Sequence, residues 1–269
     1  MSTEDRIAVT IEGGVADVRL VRADKMNALD DAMFSALIET GERLKTEAGV
    51  RVVVLSGEGR AFCAGLDMGN FGKMASGERK GGAGLVTADR TPGGSNRAQH
   101  AVMVWREIPV PVIAAIHGVA FGGGFQLTLG ADIRYVTADT RMSVMEIKWG
   151  LVPDMAGLVL MRQLARDDVV RELTYTGLQF TGEEAVQLGF ATRVCADPRA
   201  DALALAAEIA GKSPHAIRAD KRLFEVAARG DQHEILKAES AEQGALIGSP
   251  NQIEAVMANL QKRPPAFAD

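Results

Sequence analysis

The stretch VPVIAAIHGVAFGGGFQLTLGADIRYV, Val110 to Val136, decides the fold. Val110 to Ile116 is an apolar, β-branched run of the kind buried on both faces of a sheet. Gly118 and the triplet Gly122-Gly123-Gly124 then lead into a helix, and Ile133 to Val136 reads as a second strand. Toward the N-terminus the same grammar appears. Ile7 to Ile11 and Val15 to Leu20 alternate apolar and polar residues around Gly13-Gly14, which predicts a hairpin. Asp30 is placed to cap a helix whose Met33, Phe34, Leu37, Ile38 and Leu44 form one apolar face to about Thr46. Val52 to Leu55 is another buried strand. This order of strand, strand, helix, strand predicts a mixed α/β core.

With 269 residues, 47% of them apolar, the chain can bury a sizeable core. The 30 Lys and Arg against 35 Asp and Glu leave a formal charge of −5 and no long basic run, which argues against nucleic acid or an anionic membrane as partner. No apolar run reaches the ~18 residues of a membrane helix. Met1 to Arg6 is polar and lacks the basic-then-apolar order of a leader, so cytoplasmic residence is expected. Cys63 and Cys195 lie outside any C-x-x-C pattern and read as small buried hydrophobes. His100, His117, His215 and His233 form no H-E-x-x-H arrangement, so no metal is expected. Val54 stands where a nucleophile elbow ahead of Ser56-Gly57 would need glycine, and no phosphate-binding loop is present.

Between Gly69 and Asn96 the composition shifts to Gly, Lys, Ser, Arg and Thr, which predicts a long mobile loop, either a lid or a plainly disordered segment. Beyond Val194 to Pro198 the sequence turns nearly all-helical. Thr181 with Glu184 and Asp231 with Glu234 have capping-box spacing, and Asp197-Pro198, Ser213-Pro214 and Ser249-Pro250 pair a cap with proline at the first helical position. The expected division is an α/β core over residues 1–196 and a helical region over 197–269 that needs the core to pack on.

Two glycine-bearing segments follow buried strands: Phe62-Cys63-Ala64-Gly65-Leu66-Asp67 and Gly118-Val119-Ala120-Phe121-Gly122-Gly123-Gly124. Small residues there let a ligand approach the backbone, and a helix starting at the glycines offers it free N–H groups. Glu146 and Asp154 follow at short intervals.

Taken with Asn27-Ala28-Leu29, Ile116-His117-Gly118, Gly157, Tyr175-Thr176-Gly177, Ala185-Val186-Gln187-Leu188-Gly189 and Lys262-Arg263-Pro264, these segments make the chain resemble the crotonase superfamily of enoyl-CoA hydratases and isomerases. The resemblance implies an α/β core of stacked strand-strand-helix turns, a spiral, with a helical C-terminal region that builds homotrimers or dimers of trimers. It implies an acyl-CoA thioester substrate, coenzyme A being part of that substrate and no separate cofactor being needed. By position, the backbone N–H groups of Leu66 and Gly123 hold the thioester oxygen. Ala64, with Gly65 and Asp67, lies along the CoA arm, and Lys25 contacts a phosphate. Asp67 has a second reading as a turn-stabilising carboxylate, and His117 reads as a support of its turn.

In hydratases of the family two glutamates share a water; here the first position is Gln126 and the second, 20 residues later, is Glu146. A glutamine amide can hold water but cannot accept a proton at neutral pH. Asp154 stands eight residues beyond Glu146, where several members that shift double bonds carry an acid. It reads either as a second catalytic acid or as the cap of a helix beginning near Met155. Glu146 reads as the acid/base or as a surface glutamate at a strand end, and Gln126 as part of the site or of helix packing. Glu146, Asp154 and Gln126 are therefore the candidate catalytic residues. Double-bond isomerisation is preferred. Hydration by Glu146 alone or with Asp154 is the alternative, followed by a non-catalytic acyl-CoA-binding protein; dehalogenation or thioester hydrolysis through Asp154 ranks lower.

Overall fold

A computed structural model describes residues 6–77, 85–86 and 89–269. Strands β1 (Ile7–Glu12) and β2 (Val15–Leu20) form the hairpin, paired antiparallel in full register from Ile7 opposite Leu20 to Glu12 opposite Val15. Helix α1 (Asp31–Thr46) starts where Asp30 accepts the Met33 N–H, and strand β3 (Val52–Gly57) then returns parallel to β2. Its six residues are all buried, as the uninterrupted apolar run requires.

The segment Gly69 to Asn96 departs from the loop reading at its start. Asp67 accepts the Gly69 N–H and caps a helix, α2 (Met68–Ala75). The glycines at 69 and 72 mask an apolar spacing, Met68, Phe71, Met74, that recurs every three residues. Residues 78–84 and 87–88 of the expected lid lie outside the described residues. Helix α3 (Arg97–Glu107) begins at a reciprocal capping box between Asn96 and Gln99.

The deciding stretch becomes β4 (Val112–Ile116), β5 (Val119–Phe121), helix α4 (Gly123–Leu129) and β6 (Ile133–Val136). It is followed by β7 (Arg141–Ser143), α5 (Gly157–Met161), α6 (Asp167–Thr176), β8 (Gln179–Thr181), α7 (Gly182–Leu188) and β9 (Arg193–Val194). One sheet has six strands in the order β1-β2-β3-β4-β6-β9, parallel beyond the opening hairpin; a second has three, β5-β7-β8. The mixed α/β architecture is the one expected.

Helices α8 (Pro198–Ala210), α9 (Pro214–Ala227), α10 (Gln232–Leu246) and α11 (Pro250–Leu260) complete the chain; Asp197, Asp231 and Ser249 cap α8, α10 and α11 with their side chains, whereas Ser213 holds the cap position of α9 without a side-chain bond. Helix α8 lays Ala202, Ala206 and Ala210 against Val52, Val54, Ile113 and Ala115, so the helical third begins as a cover for the large sheet. In α9 the buried Lys221 ammonium donates to the Val110 carbonyl and, at 2.7 Å, to Asp132, tying this helix to the ends of the central strands. Among the described residues no helix is long and apolar enough to cross a membrane.

Candidate active site

The backbone of the site is three segments stitched side by side. The Phe62 N–H donates to the His117 carbonyl, Cys63 N–H to Val119, and Phe121 N–H to Cys63. The Ala64 N–H donates to Met26, Leu29 N–H to Gly65, and Asp67 N–H to Leu29. The conspicuous Asn27-Ala28-Leu29 triplet is thereby one wall of the same ribbon, its Asn27 amide held by the carbonyls of Glu58 and Ala61 at 3.0 and 2.9 Å. Contact is close enough to demand glycine: a Cβ on Gly124 would lie 2.2 Å from the Cys63 carbonyl oxygen.

This ribbon borders a cavity of about 720 Å³, a size suited to a small-molecule ligand. Ala64, Gly65, Leu66, Gly122 and Gly123 form its backbone wall, and Glu146 and Asp154 both line it. Among the described residues neither the Leu66 N–H nor the Gly123 N–H donates to a backbone acceptor. The latter is the first N–H of α4 and so has no partner within its helix. Met68, Phe121, Met145 and Trp149 are on the wall too, with Phe71 and Met74 from α2, Phe34 from α1 and Ala98 from α3. The Phe71 and Trp149 rings stack at 4.2 Å, holding α2 over the cavity.

Glu146 opens a short 3-10 turn, Glu146–Trp149, after β7 and is only 9% exposed; it is not a surface glutamate. Its Oε1 accepts from Gln126 Nε2 at 2.6 Å, while its buried Oε2 has no protein hydrogen-bond partner among the described residues. Burial pushes its pKa above the ordinary glutamate value; hydrogen bonds from its own backbone N–H and from Gln126 oppose this, and the negative charge of Asp154 adds to the rise. Asp154 is exposed at the cavity and does not cap a helix: α5 starts at Gly157, with Ala156 in the cap position at a left-handed φ of 66° and no side-chain cap bond.

Gln126 is fully buried in α4 and does not line the cavity. Its carbonyl accepts the N–H groups of Met155 and Gly157, each at 2.9 Å, and its NH₂ faces Glu146. It stands behind the acid, within the helix packing that is one of its two readings, and not on the cavity wall where the family resemblance implies a shared water. Asp67 and Lys25 are also off the cavity wall. The Asp67 carboxylate is engaged by Arg22 at 2.6 Å and by Gly69 N–H at 2.8 Å; burial raises its pKa, but these two partners outweigh that and hold it below the usual range. Lys25 is exposed at the end of the 3-10 turn Ala23–Lys25. His117 holds the Gly59 carbonyl at 2.9 Å, a turn support. Sequence reasoning missed Phe34, Phe71, Met74 and Ala98; the three-residue spacing in α2 was the available signal.

Backbone N–H groups with no backbone acceptor among the described residues, on residues lining a cavity that also carries two acids, suit a reaction in which charge forms on a carbonyl oxygen while protons move nearby. The chain belongs to the enoyl-CoA hydratase/isomerase family, an enzyme family whose model matches residues 10–269. It is 30% identical over 256 residues to the mitochondrial Delta(3,5)-Delta(2,4)-dienoyl-CoA isomerase of Mus musculus, covering 93% of this chain and 77% of that one. It is 31% identical over 264 residues to a probable enoyl-CoA hydratase of Mycobacterium leprae, covering 97% and 98%. The crystal structure of a putative enoyl-CoA hydratase from Streptomyces coelicolor superposes with a TM-score of 0.88 at 28% identity, over 98% of this chain and 94% of that one.

Proposed function

We propose that the protein is an enoyl-CoA isomerase that moves a carbon–carbon double bond toward or away from the thioester. The observation that carries this is the pair of acids, Glu146 and Asp154, on one cavity wall with the Leu66 and Gly123 N–H groups, while Gln126 is turned away from the cavity. A shift needs a base at one carbon and an acid at another, and no activated water.

The thioester oxygen lies between the Leu66 and Gly123 N–H groups. Asp154, the exposed member of the pair, is the base and takes a proton from the α-carbon. The electron pair left behind delocalises as an enolate on that oxygen, where one such donor is worth roughly 100- to 1000-fold in rate. In a 3-enoyl thioester the enolate forms the new bond between C2 and C3, and the C3–C4 π pair takes a proton at C4 from Glu146, whose burial favours its protonated form. One C–H bond breaks and one forms. The pair ends with the proton on Asp154 and Glu146 ionised; after product leaves, Asp154 releases its proton to solvent and Glu146 takes one back through the emptied cavity. A conjugated dienoyl thioester, the substrate named for the mouse relative, extends the same transfer to a more distant carbon.

Ala64 and Gly65 flank the CoA arm, with Lys25 reaching a phosphate and Asp67 fixing the turn through Arg22. Cytoplasmic residence and assembly as a homotrimer or dimer of trimers complete the reading. Hydration is the second reading, favoured by Glu146 standing on the cavity wall as an acid that can act on a water by itself. A panel of 2-enoyl-CoA and 3-enoyl-CoA esters with wild type, Glu146→Gln and Asp154→Asn separates them. Isomerase chemistry predicts interconversion of the two ester series, a loss of about 100-fold or more in each variant, and little 3-hydroxyacyl product. Rapid formation of 3-hydroxyacyl-CoA that survives Asp154→Asn favours hydration.

A further inference from the structure

We propose that Gln126 is a positioning residue that selects the oxygen of Glu146 through which protons pass: Oε1 is held as a permanent acceptor, and the transferred proton resides on Oε2. This rests on the reading of Glu146 as an acid in the reaction.

The amide orientation of Gln126 is dictated by its surroundings. Two backbone donors, Met155 N–H and Gly157 N–H, both at 2.9 Å, converge on one end of the side chain, which must be its carbonyl. The contact is tight, since a Cβ on Gly157 would stand 2.6 Å from that oxygen. The other end is then NH₂, and it meets Glu146 Oε1 at 2.6 Å. A hydroxyl oxygen is a poorer acceptor than a carboxyl carbonyl. A proton placed on Oε1 would weaken this short bond, whereas one placed on Oε2 leaves it whole. Oε2 has no competing protein partner among the described residues. Because Met155 and Gly157 follow directly on Asp154 in the chain, the same amide also anchors the segment next to the second acid. The charged group acting on Glu146 is Asp154; Gln126 from α4 is neutral, and Lys148, in the same turn, lies over the Trp149 ring at 5.3 Å.

Glutamate at this position would keep the two backbone bonds through one oxygen but would turn its second oxygen, in place of NH₂, toward Glu146 Oε1. The shared proton would then sit between the two carboxylates, on the wrong oxygen.

The test is the carbonyl stretching band of protonated Glu146, read by infrared difference spectroscopy between acidic and neutral pH and assigned by its absence in Glu146→Gln. With the proton on Oε2 the carbonyl is Oε1, so Gln126→Met, which removes the donor, must move the band to higher frequency. A band that stays in place overturns the proposal. Steady-state rates add a second readout. Gln126→Glu and Gln126→Met are expected to lower kcat by roughly 10- to 100-fold, with KM within about twofold and the basic limb of the kcat profile shifted upward. Wild-type kcat with an unmoved limb in Gln126→Glu also overturns it. The infrared result needs no turnover, so a wild-type protein inactive on every enoyl-CoA would sink the isomerase reading while the Gln126 claim is still decided.

Discussion

Glu146 is a carboxyl group kept where a carboxylate is uncomfortable, and this has consequences for both rate and stability. Its folded pKa is raised by burial and by Asp154, so the unfolded chain ionises first as pH increases. Below the ordinary glutamate value of 4.5 both states are protonated and the residue costs nothing; as pH climbs from there through the raised value, stability is lost. Glu146→Gln is therefore expected to raise Tm at pH 7, by roughly 2–4 °C, and to leave it unchanged near pH 4, as calorimetry at the two pH values would read. A variant less stable than wild type at pH 7 would mean that burial does not strain this carboxyl. Spacing made Glu146 and Asp154 legible as a pair in the sequence. The role of Gln126 was not legible, because the Met155 and Gly157 N–H groups that orient its amide lie 29 and 31 residues away and are brought to it only by folding.

Among the elements, β4, α4 and β6 could be read directly, since a buried strand announces itself by β-branched residues and the glycine triplet has few structural uses. Helix α2 could not, because its glycines have low helix propensity and its stability comes from tertiary contact, Phe71 stacked on Trp149 and Met68 and Met74 facing the cavity. That contact closes one side of the cavity. Phe71→Ala removes a stacked pair worth about 0.5–1.5 kcal/mol and is expected to raise KM for a long-chain enoyl-CoA by roughly 3- to 10-fold, with a smaller change in kcat. Steady-state kinetics that leave KM unchanged would show that α2 does not close on the acyl chain.

At the scale of the molecule, the caps of the C-terminal helices were written in the sequence, but caps fix where a helix begins and say little about what its faces cover. The structure shows α8 covering the sheet and Lys221 anchoring α9, and it leaves Phe224 73% and Leu260 75% exposed. Large apolar side chains standing out on α9 and α11 support self-association through this region. Sedimentation at micromolar concentration is expected to give a trimer or a dimer of trimers; a monomer would contradict that. Whatever the assembly, the proposed reaction turns on how two acids divide one proton transfer. The most direct measurement is exchange of the α-protons of an acyl-CoA in deuterium oxide, followed by mass spectrometry. With Asp154 as base, Glu146→Gln still exchanges them although it no longer isomerises, and Asp154→Asn loses exchange by about 100-fold or more. Exchange at the wild-type rate in Asp154→Asn would contradict the account.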